Sequence, residues 1–391
     1  MMAARRPAGV AAVGIGQTPY YKRGTSPDLE RKLLLRAIDE AAADAGVAAS
    51  DIDGFASYGA DVQEGVRLTG PLGTRELRWT SLVWGGGGGG SAGAIAMAES
   101  AILSGHADTV VVYRATAESS SGRLLRAVSA GAFSPHYLAN GIDSPAQVLA
   151  LRSQRLLEHD GVPVSALKAI AQACYYHANN NPMAVGHDVA LDDDKYSSSR
   201  WITEPLRLYD SSRENDAAAA IIFTSAERAR DLTDKPVYLL AAELGADGPR
   251  SGELDENQEP YNSSSQVAVG RRIWARSGAT PADIDVLQLY VNFTAPAIAS
   301  LIDLGFCTAQ TAAELLTFEN LIAPDGRLPI NTSGGDMADG FLHGMGNAVE
   351  GVRQLLGRST NPVPDAKLCL VSGGPMSELS SAALFSTVDR L

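Results

Sequence analysis

Residues 80–115 read TSLVWGGGGGGSAGAIAMAESAILSGHADTVVVYRA, and the six glycines Gly85 to Gly90 decide how the chain is understood. They lead into small residues with helical character over Ala92–Ser104. A β-branched strand over Thr109–Tyr113 follows. Glycines at a strand-to-helix turn let the backbone approach another group closely. What comes close, and which chemistry belongs there, is the question the stretch poses.

Working outward, strand and helix signals alternate. Val10–Ile15 is apolar and β-branched, and Leu29–Ala45 has helical spacing at Leu34, Ile38, Ala41 and Ala45. Ile52–Tyr58 reads as a strand. The later chain follows suit: strand 237–242, helix 264–277, strand 284–290, helix 295–304, helix 340–356 and strand 367–372. This alternation predicts an α/β layered architecture.

The chain also resembles itself. AGVAASDIDGFASY (45–58) and SGATPADIDVLQLY (277–290) match at one constant offset, pairing Gly46 with Gly278 and Asp51-Ile52-Asp53 with Asp283-Ile284-Asp285. A small-residue helix, a glycine and a strand then recur at 92–112 and 344–371. Two matches in the same order predict duplicated βαβ-type halves. We expect an N-terminal half over 1–116 and an inserted, weakly periodic loop region over 117–215. Residues 216–391 should supply the closing strand of the first half and the whole of the second.

Composition narrows the function. The 391 residues are 45% hydrophobic and 20% charged, as in ordinary globular proteins. A net charge of −13 lacks the basic footprint of a nucleic-acid surface. No 18-residue apolar run exists to span a membrane, and MMAARRPAG has no apolar core after it to make a secretory signal. Cys174, Cys307 and Cys369 are widely spaced, so reduced thiols in the cytoplasm are expected and no metal site. No nucleotide or zinc motif occurs.

The duplicated halves, the Gly/Ala-rich helix start before GHADTVVV and the late NTSGG segment resemble the thiolase superfamily over essentially the whole chain. YVNFTAPAIASLIDLGFC (290–307), LPINTSGG (328–335), HGMGNAVEGVRQL (343–355) and SRWITEPLRLYDSSREND (199–216) resemble its sterol-carrier/lipid-transfer branch. Within that branch the steroid side-chain aldolases are most similar. The resemblance implies a five-layered αβαβα thiolase fold, a homodimer and CoA-thioester substrates, with CoA arriving as part of the substrate and no cofactor bound. It also implies a small acyl-CoA-binding partner carrying a zinc ribbon and an OB-fold.

A thiolase needs a nucleophilic Cys at the start of the buried helix, where the helix N-terminus lowers its pKa. That position falls on Gly88 and the thiolase His position on Phe341. The second Cys should lie just before the glycines near 373, where the chain reads Leu370, Val371, Ser372, with Cys369 one place early and, on a strand, facing the other way. Claisen chemistry through an acyl-enzyme is therefore not expected. Retro-aldol cleavage needs no nucleophile, only proton carriers and donors for enolate charge. The aldolases place one proton-carrying Tyr in Y-D-x-F-T and another before I-H-G. Tyr290 matches the first, whereas Val291 replaces the Asp and Phe341 the second Tyr.

The catalytic candidates are thus Tyr290, His343, Asn331 and Asn292, and the substrate-binding candidates Gly86, Gly87, Gly88, Phe341 and His177. Each has a plainer reading. Tyr290 could be a core residue, His343 a cap or buried hydrogen bond, Asn331 a turn holder, and Asn292 a cap for the helix that follows. His177 and Asn181 could simply form the turn before Pro182, and the glycines could serve close packing across a dimer. Asp210, Ser211 and Asp216 read as core support. The expected activity is carbon–carbon cleavage, or the reverse, on a β-hydroxyacyl-CoA. A condensing acyltransferase and a non-catalytic lipid-binding scaffold remain as alternatives.

Overall fold

The computed structural model describes residues 7–59, 61–85, 87–117, 135–248, 260–377 and 379–391. Strands are β1 (Val10–Gln17), β2 (Tyr21–Lys22), β3 (Gly54–Tyr58), β4 (Trp79–Val83), β5 (Thr109–Thr116), β6 (Trp201–Thr203), β7 (Leu206–Arg207), β8 (Asn215–Ser225), β9 (Val237–Gly245), β10 (Val286–Gln288), β11 (Leu368–Ser372) and β12 (Ser380–Ser386). Helices of ten or more residues are α1 (Glu30–Asp44), α2 (Ser91–Leu103), α3 (Pro145–Glu158), α4 (Val164–Asn179), α5 (Val267–Ser277), α6 (Thr294–Asp303) and α7 (Met345–Leu355).

One sheet runs in the order β10-β11-β12-β9-β1-β8-β5-β3-β4, with β2 beside β8, and β6 and β7 form a separate ribbon. The series β3-β5-β8-β1 and β10-β11-β12-β9 repeat the same pairing: parallel, antiparallel, antiparallel. β9 joins β1 across the centre through Ala11–Tyr238 and Ala12–Val237. The self-similarity in sequence is therefore a duplication of topology.

The matched aspartates do the same work in each half. The Asp53 carboxylate accepts the backbone N–H of Thr109 at 2.8 Å and of Asp108 at 3.1 Å, fixing the start of β5 against β3. The Asp285 carboxylate accepts Lys367 and Leu368 N–H at 2.8 and 2.9 Å, fixing β11 against β10.

Helix chemistry sorts the layers. α1 buries Leu33, Leu34, Ala37, Ile38 and Ala41 along one stripe, so it covers the outer face of β1, β5 and β8. α5 covers β9 and β12 on the other side through Val269 and Ile273. α2 has no polar face; Ala92, Ala94, Ile95, Ala98, Ala101 and Ile102 are all buried. It packs on β3 and β5 of one half and on β9 and β12 of the other, while α7 packs on β10 and β11 and also on β1 and β8. Two central helices between two sheet halves, with helices outside, make the five layers.

The weak periodicity over 117–215 is misleading. The segment holds α3 and α4, and α4 is buried on several sides through Leu167, Ile170, Ala171, Cys174, Tyr175 and Ala178. A helix enclosed by α6 and the segments after it shows no single apolar stripe, so the expectation of a loop region fails there. No described helix is long and apolar enough to cross a membrane.

Asp285→Ala should remove two charge-assisted bonds and lower stability by about 1–3 kcal/mol, read as a lower urea midpoint. Asp53→Ala should act in the same direction. A midpoint unchanged in both would mean that these carboxylates do not hold the strands.

Candidate active site

The start of α2, the start of α7 and the end of β10 meet at one side chain. Tyr290 follows β10, is 3% exposed, and lies between Gly88 and Gly344. A Cβ on Gly88 would stand 2.1 Å from Tyr290 Oη and 2.3 Å from its ring. A Cβ on Gly344 would stand 2.9 Å from Tyr290 Cδ2 and 3.0 Å from Ser91 Oγ. What comes close to the glycine run is therefore the Tyr290 phenol, filling the space that a thiolase nucleophile would need. The run is tied to the second half as well: Gly374 N–H donates to Gly88 O at 2.9 Å and Ser381 Oγ to Gly89 O at 2.6 Å. Gly87 has φ of +47° in this turn, and Gly86 lies outside the described residues.

The Tyr290 hydroxyl has no hydrogen-bond partner among the described residues, while its backbone N–H donates to Ser372 Oγ at 3.0 Å. Burial, and then Asp336 and Tyr58, push its pKa well above the ordinary phenol value against the opposing pull of Arg114, so the proton stays on oxygen. Asp336 is itself buried and raised to about 7 by desolvation. Its carboxylate accepts Asn347 Nδ2 at 2.8 Å, Gly344 N–H at 3.2 Å and Val291 N–H at 3.4 Å, joining α7 to the segment that carries Tyr290.

A buried polar chain continues to His343. Arg114, 3% exposed on β5, puts Nη2 3.1 Å from His343 Nδ1 and donates from Nη1 to Tyr58 O at 2.7 Å. Asp61 lies 3.6 Å from the same guanidinium and accepts Ser57 Oγ at 2.6 Å and Gln63 N–H at 2.7 Å. Tyr58 Oη donates to His343 O at 2.9 Å and bonds Leu342 O at 3.1 Å. His343 holds φ at +50°, and desolvation, then Arg114, push its pKa well below the ordinary value. Phe341 is half-buried, its ring edge-on to His343 at 4.8 Å and to Tyr290 at 6.1 Å. Its N–H donates to Asn215 Oδ1.

Other candidates are placed differently. Asn331 is fully buried; Oδ1 accepts Leu289 N–H at 2.7 Å, Nδ2 lies 3.6 Å from Cys174 Sγ, and φ is +49°. It holds the turn beneath Tyr290, and both side-chain heads are occupied, which removes it from contact with substrate. Asn292 is half-buried, and its Oδ1 accepts Phe293 N–H at 2.8 Å in front of α6, leaving Nδ2 without a partner among the described residues. His177 is also fully buried: Nε2 accepts Ala323 N–H at 2.9 Å, and desolvation lowers its pKa to about 4. Sealed inside the packing of α4 on the 318–330 segment, it gives a substrate no access, against the expectation that it binds one. Asn181 holds Ser333 O and Asp339, and Asp210 accepts Tyr196 Oη and Thr294 Oγ1, each at 2.8 Å. These are structural contacts. Cys369 packs its sulfur against Gly351 of α7, and burial pushes all three thiols up, Cys174 to about 12 and Cys307 to about 11.

Arg114, Asp61, Tyr58 and Asp336 were not singled out from the sequence. A charged residue inside TVVVYRAT was the available signal: a strand buried on both faces has no place for a guanidinium without partners. Asp336 carries no comparable mark. Among the described residues no group of His, Cys, Asp and Glu could hold a metal ion.

The fold and this site define a thiolase-fold enzyme without the thiolase nucleophile. A family model described as Thiolase C-terminal domain-like matches residues 250–386. A 17-hydroxy-3-oxo-4-pregnene-20-carboxyl-CoA lyase of Mycobacterium tuberculosis is 36% identical, over 93% of this chain and 96% of that protein. A steroid side-chain-cleaving aldolase of Thermomonospora curvata is 33% identical over 94% of this chain and 95% of that protein. The solved structure described as the Ltp2-ChsH2(DUF35) aldolase matches with a TM-score of 0.90 and 32% identity, covering 99% of this chain and all of that one. The chain belongs to the thiolase-like family of steroid side-chain-cleaving aldolases and is a carbon–carbon lyase.

Gly88→Ala should overpack Tyr290 and destabilise by about 1–3 kcal/mol. In a Tyr290→Ala background the same substitution should cost much less, because the ring is gone. Strict additivity in thermal melts would mean that the two residues do not share this space.

Proposed function

We propose that the chain cleaves, or forms, the Cα–Cβ bond of a β-hydroxyacyl-CoA with a bulky, sterol-like side chain, and that Tyr290 carries the proton. The phenol standing in the gap between Gly88 and Gly344 supports this reading. In the cleavage direction the neutral Tyr290 phenol takes the β-hydroxyl proton onto Oη while releasing its own proton toward Cα, as the Cα–Cβ bond breaks. The electron pair of that bond passes into the thioester, giving an enolate and a carbonyl product. The proton that Tyr290 releases goes to Cα of that enolate, so the phenol begins and ends neutral and atoms and charge balance within one relay. A phenol held neutral by burial suits a group that both takes and gives a proton. The reaction can run without a proton on Phe341, whose ring lies edge-on to Tyr290, and a second phenol there would add a proton carrier.

CoA enters as part of the substrate, and no other cofactor is assigned. Three free thiols fit a cytoplasmic protein. We assign two partners. The first is a DUF35-type subunit with a zinc ribbon and an OB-fold that carries the acyl-CoA, supported by the match to an aldolase whose description includes DUF35. The second is another copy of this chain. Among the described residues β4 ends the sheet with one side unpaired, beside Trp84 at 86% and Leu82 at 47% exposure, and such an edge calls for cover. The absence of a Cys at position 88 disfavours a condensing acyltransferase, and a scaffold would not need the charged network behind His343.

Tyr290→Phe should lower turnover roughly 10²–10⁴-fold while the melting temperature stays near wild type. Phe341→Tyr should raise retro-aldol turnover. A silent Tyr290→Phe together with no gain from Phe341→Tyr would remove the aldolase mechanism proposed for this site. Sedimentation of the wild type should show a dimer, and a clean monomer would remove the second-copy assignment.

A further inference from the structure

His343 has two ring nitrogens, and the structure distinguishes them. Nδ1 is 3.1 Å from Arg114 Nη2. A guanidinium has donors only, so Nδ1 must present its lone pair, and the ring proton belongs on Nε2. Arg114 cannot turn away to release it. Nη1 is bonded to Tyr58 O at 2.7 Å and lies 3.6 Å from the buried Asp61, which Ser57 and Gln63 hold in turn. The backbone of His343 is anchored separately, by Tyr58 Oη at 2.9 Å. Nε2 has no partner among the described residues, and the ring stacks edge-on with Phe341, whose other neighbour is Tyr290.

We propose that Arg114 is a positioning residue that locks His343 in the Nε2–H tautomer, making His343 the hydrogen-bond donor for the thioester oxygen on which enolate charge collects. The donor role rests on the lyase reading above; the tautomer does not. The role differs from that of a general base, since the nitrogen facing Arg114 is never free to take a proton. A second positive charge beside Arg114 is excluded for the same reason that Asp61 is retained: one buried carboxylate balances one buried cation. The charged and titratable groups around the ring are Arg114 from β5, Tyr58 from β3, Asp61 after it, Asp336 before α7, and Tyr290 after β10. Neither carboxylate bonds the imidazole. Nothing there stabilises an imidazolium.

The test separates a donor from a base. His343→Gln keeps a neutral N–H donor and should retain turnover within about tenfold of wild type. His343→Ala should lose roughly 10²–10³-fold, the effect of removing one oxyanion donor. The loss should fall on kcat more than on KM. Equal losses in folded Gln and Ala variants would overturn the donor role. Independently, nitrogen-15 spectra of histidine-labelled protein should show His343 protonated on Nε2 and uncharged throughout the mildly acidic range. Arg114→Met should release the tautomer and raise the pKa of His343, giving the pH–rate profile an acid limb, while Arg114→Lys should restore much of the wild-type behaviour. A proton on Nδ1, or an imidazolium forming near pH 6.5 in the wild type, would overturn the proposal. Should the wild type cleave the Cα–Cβ bond of no β-hydroxyacyl-CoA, the lyase reading and the donor role fall together, and the spectra still decide the action of Arg114.

Discussion

The architecture converges on a place where two backbones must lack a Cβ so that one phenol ring can stand between them. Gly88 opens one central helix and Gly344 the other, and Tyr290 occupies the interval. Because α2 and α7 each touch both halves of the sheet, the position of that ring is set by the whole assembly of strands around them. The duplicated aspartates that register β5 and β11 therefore bear on the chemistry as well as on the fold. They fix the strands against which the two helices lie.

Charge in this interior is arranged to remain unchanged. Arg114 and Asp61 form a pair whose other bonds are made by Tyr58, Ser57 and Gln63, and removing either partner would leave a buried charge without compensation. Burial raises the Asp336 carboxyl to about 7, against the three donors from Asn347, Gly344 and Val291 that favour its charged form. Tyr290 and His343 are both driven toward neutrality by the same burial. The relay proposed for Tyr290 is served by groups that begin and end uncharged.

Much of this was legible in the sequence because it depends on local period and on repetition. The alternating strands and helices, the duplication marked by Asp53 and Asp285, and the missing nucleophile at Gly88 all lie in short contiguous segments. Elements enclosed by their neighbours were harder to see. α4 is buried on several sides, so its residues show no amphipathic stripe, and His177 within it looked like a site residue although it serves packing. Asn331 was equally ambiguous until both ends of its side chain were seen to be engaged. Arg114 and His343 are 229 residues apart in sequence, and no spacing rule links them. Pairings of that kind are created by topology.

The contact between Tyr290 and Gly88 also restricts evolution. Return to thiolase chemistry would require a thiol at position 88, yet any side chain there collides with the phenol. Clearing the phenol first would remove the proposed proton carrier of the existing reaction before the new one could operate. Cys369 offers no detour, since its sulfur is packed against Gly351 in the core and reaching the site would need a shift of one residue along β11. Each single step is penalised by the residue that has not yet changed. The lineage is thereby held to one side of the divide by sign epistasis between two neighbouring atoms.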